Sequence, residues 1–271
     1  MTLRDDIHEV VETLVKGSPN LYLFNFATNA LDPPAVLSLL KKISKLNIPY
    51  VAITISLDGP EKMHDALRGV KGNFLKAVET LKLTRKIKGL RVYAGMTLFE
   101  KNLHSIEEAY QNIKDHIPDF KRSELHLNLP NISAHYYGNT EKTSTVLKDG
   151  ISIIREWNHR TRRLNFFSPF QRVEKFFLDE AEEFLRTNRT PVPCQAVKST
   201  VYLSELGEVY PCIIWGEKLG SIREHEYDLM PILKGEAGVE VRKKICAGEC
   251  PQCWTPCEAY PALFEKPGVL F

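Results

Sequence analysis

The chain has 271 residues, 43% hydrophobic and 26% charged, enough to bury a full core as one large domain or one with a small appendage. Its 36 basic and 34 acidic side chains lie in mixed clusters and leave a formal charge of +2, which points to no nucleic-acid-binding or membrane-binding face. The opening stretch MTLRDDIHEVVETLVKG is charged from Arg4 and has no signal-peptide core, and no later run is long enough to span a bilayer, so a cytoplasmic protein is expected.

In chain order, a helix is predicted at about residues 4–16 and a strand in NLYLFNFATN. DPPAVLSLLKKISKL reads as a helix with prolines in its first turn, PYVAITISLDGP as a strand ending in a turn, and NFLKAVETLKLTRKI as the next helix. LRVYAGMTLFEKN, HSIEEAYQNIKDHI and SELHLNLPN continue as strand, helix and strand. This alternation of four strands, apolar on both faces, with helices predicts a parallel sheet, open or part of a barrel, with its ligand side at the strand C-terminal ends. Those ends carry Thr28, Asn29, Ser56, Asp58, Thr97, Asn102, Asn128 and Asn131. Two charged helices follow at roughly 142–163 and 170–188, then a linker, TNRTPVPC, and a hairpin signal, STVYLSELGEVYPCIIWG.

Residues 1–193 contain no cysteine, and the remaining 78 hold all six. Cys194 and Cys212 bracket the hairpin as C-x12-G-x4-C, with Gly207 permitting the turn that brings them together. The tail adds Cys246, Cys250, Cys253 and Cys257 as C-x3-C-x2-C-x3-C. In a reducing compartment clustered thiols favour metal over disulfides, and a hairpin pair plus a tail pair can build a four-thiolate site. Spacing alone leaves zinc and an iron–sulfur cluster equally open. Free cysteine also packs as a small apolar residue, and at least one of the six is expected to be a spare, Cys246 first.

SLDGPEKMHDALRG and STVYLSELGEVYPC, in this order and with ATNAL before them, resemble radical S-adenosylmethionine (SAM) enzymes carrying a C-terminal twitch or SPASM auxiliary-cluster domain. The resemblance covers nearly the whole chain. It implies an α/β fold, an incomplete (β/α)6 partial TIM barrel of about four parallel strands over residues 1–140, a helical connector at 141–190, and a cysteine-rich α+β auxiliary domain with a β-hairpin at 191–271. Family members place an initiating C-x3-C-x2-C loop after strand one and Gly-Gly-Glu-Pro after strand two; this chain shows neither there. Cys246, Cys250 and Cys253 spell the loop, but no parallel strand precedes them. A truncated amino terminus or a late start site is therefore expected, with a naturally degenerate form as the alternative.

By position the resemblance puts Thr28, Asn29, Ser56, Asp58 and Arg68 at the SAM site. Each has a plainer role on offer: Asn29 as a cap for the helix at Pro33, Asp58 in a strand-ending turn, Arg68 in a surface ion pair. His64 reads as structural, and His135 and Tyr136 as aromatic packing or substrate contacts. The implied chemistry is reductive cleavage of SAM to a 5′-deoxyadenosyl radical that abstracts hydrogen from a peptide or small molecule, with flavodoxin or ferredoxin as reductant. An auxiliary [4Fe–4S] cluster would be held by Cys194, Cys212, Cys250 and Cys253, with Cys257 next in line. The competing reading is a non-catalytic module whose cysteines hold zinc.

Overall fold

The computed structural model describes residues 4–139, 150–161 and 169–265. The chain forms two compact units, Met1–Asn128 and Leu129–Phe271.

The first unit alternates α1 (Ile7–Gly17), β1 (Leu23–Thr28), α2 (Pro33–Ile43), β2 (Tyr50–Ser56), α3 (Glu61–Arg68), α4 (Asn73–Thr84), β3 (Leu90–Thr97), α5 (Ile106–His116) and β4 (Leu125–Asn128). The strands form one parallel sheet in the order β1-β2-β3-β4. Asp32 starts α2 by accepting the Ala35 N–H at 3.0 Å, and prolines fill the first turn, where no intrahelical donor is needed. Val36, Leu39, Leu40 and Ile43 then recur at helical spacing and are buried.

In β2, Val51, Ile53 and Ile55 are buried and alternate with half-buried Tyr50, Ala52, Thr54 and Ser56. The expectation of strands apolar on both faces is corrected here. α4 contacts both β2 and β3 and buries Phe74, Ala77, Val78 and Leu81, whereas the opposite sheet face stays half-buried and partly polar. Gly95 in β3 belongs to that second face, and a Cβ built there would stand 2.4 Å from Thr54 Cγ2. Only glycine fits at this close approach.

In the second unit α6 (Gly150–Thr161) packs on α7 (Pro169–Thr187). The first expected stretch, 142–163, extends beyond α6 into 142–149 and 162–163, which lie outside the described residues, and the second, 170–188, coincides with α7 to within a residue at each end. The hairpin is present as β5 (Tyr202–Leu203) and β6 (Glu208–Tyr210), and Gly207 holds φ +83° at its turn. A third strand, β7 (Gly220–Ser221), pairs antiparallel with β6. α8 (Met230–Lys234), α9 (Glu236–Ala247) and α10 (Pro256–Phe264) complete the unit. Among the described residues no helix is long and apolar enough to cross a membrane.

Candidate functional site

In a parallel sheet, paired residues project to the same face, so the strand register sorts the strand-end side chains. Ser56 pairs with Gly95, and Thr97 with Asn128, on the half-buried face. Thr28 pairs with Ile55 and so belongs to the helix-covered face, where its hydroxyl accepts the Ala30 N–H at 3.2 Å. Ser56 is half-buried, and its hydroxyl has no partner among the described residues. Asn29 accepts the Leu31 N–H at 3.4 Å in an Asx-type turn, while Asp32 does the capping of α2. The polar face also carries Asn25, Thr54, Tyr93 and His126, with the Tyr93 and His126 rings stacked at 4.2 Å. Sequence reasoning missed these four. The period-two alternation of YVAITIS, with small and polar residues at every second position, is the signal that could have found them.

Asp58 and Arg68 belong to a brace at the end of β2. Asp58, only 3% exposed, accepts the Thr97 N–H at 2.9 Å through Oδ1 and pairs through Oδ2 with Arg68 Nη2 at 2.6 Å. Its own N–H donates to His64 Nδ1 at 3.0 Å, and its carbonyl accepts from Asn102 Nδ2 at 2.8 Å. Asp65 next accepts the Gly72 and Phe74 N–H groups that open α4. Through His64, Asp65 and Arg68, α3 therefore ties the end of β2 to α4, while Asp58 itself ties it to β3. His64 is structural, as expected: fully buried, its imidazole held below its usual pKa by burial, with Arg68 acting in the same direction and Asp58 and Asp65 opposing it. Arg68 Nε is buried without a hydrogen-bond partner among the described residues.

The cysteines divide into two groups. Cys194, Cys212, Cys250 and Cys253 all pack on one small apolar core containing Val209, Ile213, Ile214, Leu219, Val241 and Ile245. Cys246 and Cys257 are exposed. Among the described residues no three His, Cys, Asp or Glu side chains converge at single-ion ligand distances. The Ala196 N–H donates to Cys194 Sγ at 3.4 Å, the Trp215 N–H to Cys212 Sγ at 3.3 Å, and Gln252 Nε2 to Cys250 Sγ at 3.2 Å. Burial pushes the Cys212 thiol up to about 12, with Glu258 adding to it, and raises Cys194 and Cys253 as well. Thiols so placed stay protonated unless a cation compensates the thiolate. Cys257 is raised by crowding on its buried flank and by Glu258, yet its accessible surface leaves it open to solvent.

Other side chains hold the cysteine backbone. Arg242 Nη1 donates to the carbonyls of Cys194 and Ala196 at 2.8 and 3.1 Å. His135 bridges Ser133 Oγ and the Cys212 carbonyl, both at 3.1 Å, and its ring lies against Tyr202 and Tyr210. Because a carbonyl can only accept, Nε2 carries the proton and Nδ1 accepts from Ser133. Tyr136 is half-exposed and packs edge-on against Tyr202 and Tyr137. Thr190 Oγ1 donates to the Cys253 carbonyl at 3.2 Å. Trp254 is buried, stacks on Phe177 at 5.5 Å, and donates its indole N–H to the Phe177 carbonyl at 2.8 Å.

No family model matches the chain. The antilisterial bacteriocin subtilosin biosynthesis protein AlbA of Bacillus subtilis (strain 168) is 25% identical over 185 residues, which are 66% of this chain and 36% of AlbA. The chain thus spans little more than a third of that relative's length. Hexahistidine-tagged anSMEcpe with bound AdoMet shares the fold at a TM-score of 0.56 and 16% identity, over 95% of this chain and 73% of that one. Native anSMEcpe with bound AdoMet and Kp18Cys peptide gives 0.52 at 16% identity, over 93% and 76%. At that identity the solved structures speak for the fold, and AlbA for the sequence relationship. Over most of its length, then, the chain is similar in sequence to AlbA and in fold to anSMEcpe.

Proposed function

We propose that this chain is the SAM-binding and auxiliary-cluster part of a peptide-modifying radical SAM enzyme. The observation that carries the reading is the grouping of Cys194, Cys212, Cys250 and Cys253 on one apolar core, the first three with an N–H donor at sulfur, with Cys246 and Cys257 left at the surface. That donor set suits an iron–sulfur cluster, which thiolates hold and N–H···S bonds tune. Bound there, a [4Fe–4S] cluster would supply one-electron transfer. The chain's own residues bury Cys212, half-bury Cys194 and Cys253, and fix the two upstream cysteines through Arg242 and His135.

We assign residues 1–140 to a partial (β/α)6 barrel, 141–190 to a helical connector and 191–271 to the auxiliary domain. Ser56 and Arg68 are the preferred SAM contacts, Ser56 for its unpartnered hydroxyl and Arg68 for its unpartnered Nε. Asp58 acts by positioning Arg68, and Thr28 and Asn29 by shaping the turn after β1. The substrate class rests on anSMEcpe, whose structure holds a peptide, and on AlbA, a bacteriocin biosynthesis protein. An electron donor of the flavodoxin or ferredoxin type would serve as reductant. Residues 1–193 hold no thiol, so these 271 residues alone are proposed not to cleave SAM.

The test is anaerobic reconstitution followed by iron, sulfide and zinc analysis. About four irons and four sulfides per chain are expected for a [4Fe–4S] site. Cys194→Ala or Cys212→Ala should abolish loading and lower stability, since metal-binding free energy is largely folding free energy in such sites. Cys246→Ser should leave loading unchanged. A colourless zinc protein would instead establish the non-catalytic module.

A further inference from the structure

Two of the four grouped cysteine sulfurs meet main-chain donors, Cys194 at Ala196 and Cys212 at Trp215. Cys250 differs. Pro251 has no N–H, and Gln252 sits at φ +55°, a left-handed conformation unusual for a residue with a side chain. The donor to Cys250 Sγ is instead the Gln252 side-chain amide, at 3.2 Å.

The orientation of that amide is fixed by its other partners. Its oxygen accepts the Thr190 N–H at 2.9 Å, and its nitrogen also reaches the carbonyls of Gly248 at 3.0 Å and Cys250 at 3.4 Å. An N–H can only donate and a carbonyl can only accept, so the nitrogen must face the sulfur. Thr190 is tied in turn to Cys253 by reciprocal bonds of 3.2 and 3.3 Å. One side chain thus holds the C-P-Q-C turn against the segment that leads into Cys194.

We propose that Gln252 is a positioning residue that sets the electrostatics of the Cys250 sulfur and, through it, the reduction potential of the auxiliary cluster. The proposal rests on the cluster reading above. A donor on a ligand sulfur stabilises the extra negative charge of the reduced cluster, so Gln252 raises the potential. Because this donor is a side chain, a point substitution can replace it without altering the main chain.

The test compares wild type with Gln252→Glu and Gln252→Leu. Glutamate keeps an acceptor for the Thr190 N–H but turns an oxygen towards the sulfur, separating position from electrostatics. Redox titration of reconstituted protein, read by absorbance and electron paramagnetic resonance, should give a lower midpoint for both variants, with Q252E lower than Q252L. A wild-type midpoint in Q252E overturns the proposal. A second readout uses metal-free protein: iodoacetamide labelling of Cys250, mapped by mass spectrometry, should run roughly two- to threefold slower in Q252L, because the lost donor no longer stabilises the attacking thiolate. Cys246 labelling should stay constant as the internal reference, and unchanged Cys250 labelling overturns the Gln252–Cys250 contact itself. A wild-type chain that takes up no iron and sulfide overturns the cluster reading and the redox part of the proposal, while the labelling arm still decides the contact.

Discussion

Replacing Arg68 by alanine isolates the charge balance of the β2 brace. The variant leaves the Asp58 carboxylate, 5% exposed at its side chain, with the Thr97 N–H but no counter-charge. Breaking a buried pair in this way costs about 3–5 kcal/mol. Arg68 itself is 31% exposed, so part of the attraction is already screened, and the low end, about 3 kcal/mol, is expected. Adding Asp58→Asn removes the stranded charge and keeps an acceptor for Thr97, so the double variant should recover about 1–2 kcal/mol of the loss. Urea unfolding followed by far-UV circular dichroism measures the cost, and hydrogen exchange should place it at the ends of β2 and β3. An R68A chain within about 0.5 kcal/mol of wild type, the usual range for inert surface changes, would refute the brace and leave Arg68 as a ligand contact only.

Gly95→Ala should cost about 1–3 kcal/mol because its Cβ overlaps Thr54 Cγ2, built at 2.4 Å; Thr54→Ser deletes that methyl and should restore most of the loss in a thermal melt. His64 makes stability pH-dependent. Its folded-state pKa lies below the unfolded value, so the unfolded chain takes up the proton first; the contribution is complete above about pH 6.5 and falls on acidification, by up to ~1.4 kcal/mol per pH unit. His64→Asn, which can still accept the Asp58 N–H, should flatten that part of the denaturation profile, and an unchanged slope would contradict the assignment. Trp254→Phe should lose about 1 kcal/mol with the indole hydrogen bond, and Trp254→Ala about 3–5 kcal/mol with the stack as well. Equal costs in denaturant titrations would show that the stack contributes little.

The parallel strands and the hairpin were legible because each is written locally, as apolar runs of the right length and as a Leu-Gly-Glu turn. β7 was not legible: Gly220 and Ser221 have no strand-forming pattern, and β6 recruits them as a neighbour. The sequence placed Asp58 and Arg68 at the strand end, but not their mutual ion pair or the His64 bond, which depend on how α3 folds back over β2. Cysteine spacing left all six thiols as candidates. Side-chain donors from residues 135, 190, 242 and 252 separate four from two, and no spacing rule announces them.

The anchoring of Trp254 bears on the order in which this protein matures. A stacked indole next to Cys253 pins the tail to α7 by contacts that need no metal. Arg242 and His135 do the same for Cys194 and Cys212, so all four thiols are held on one core by contacts that need no metal. On the proposed reading, the ordering entropy that would slow capture of a cluster by a floppy chain is therefore largely spent beforehand.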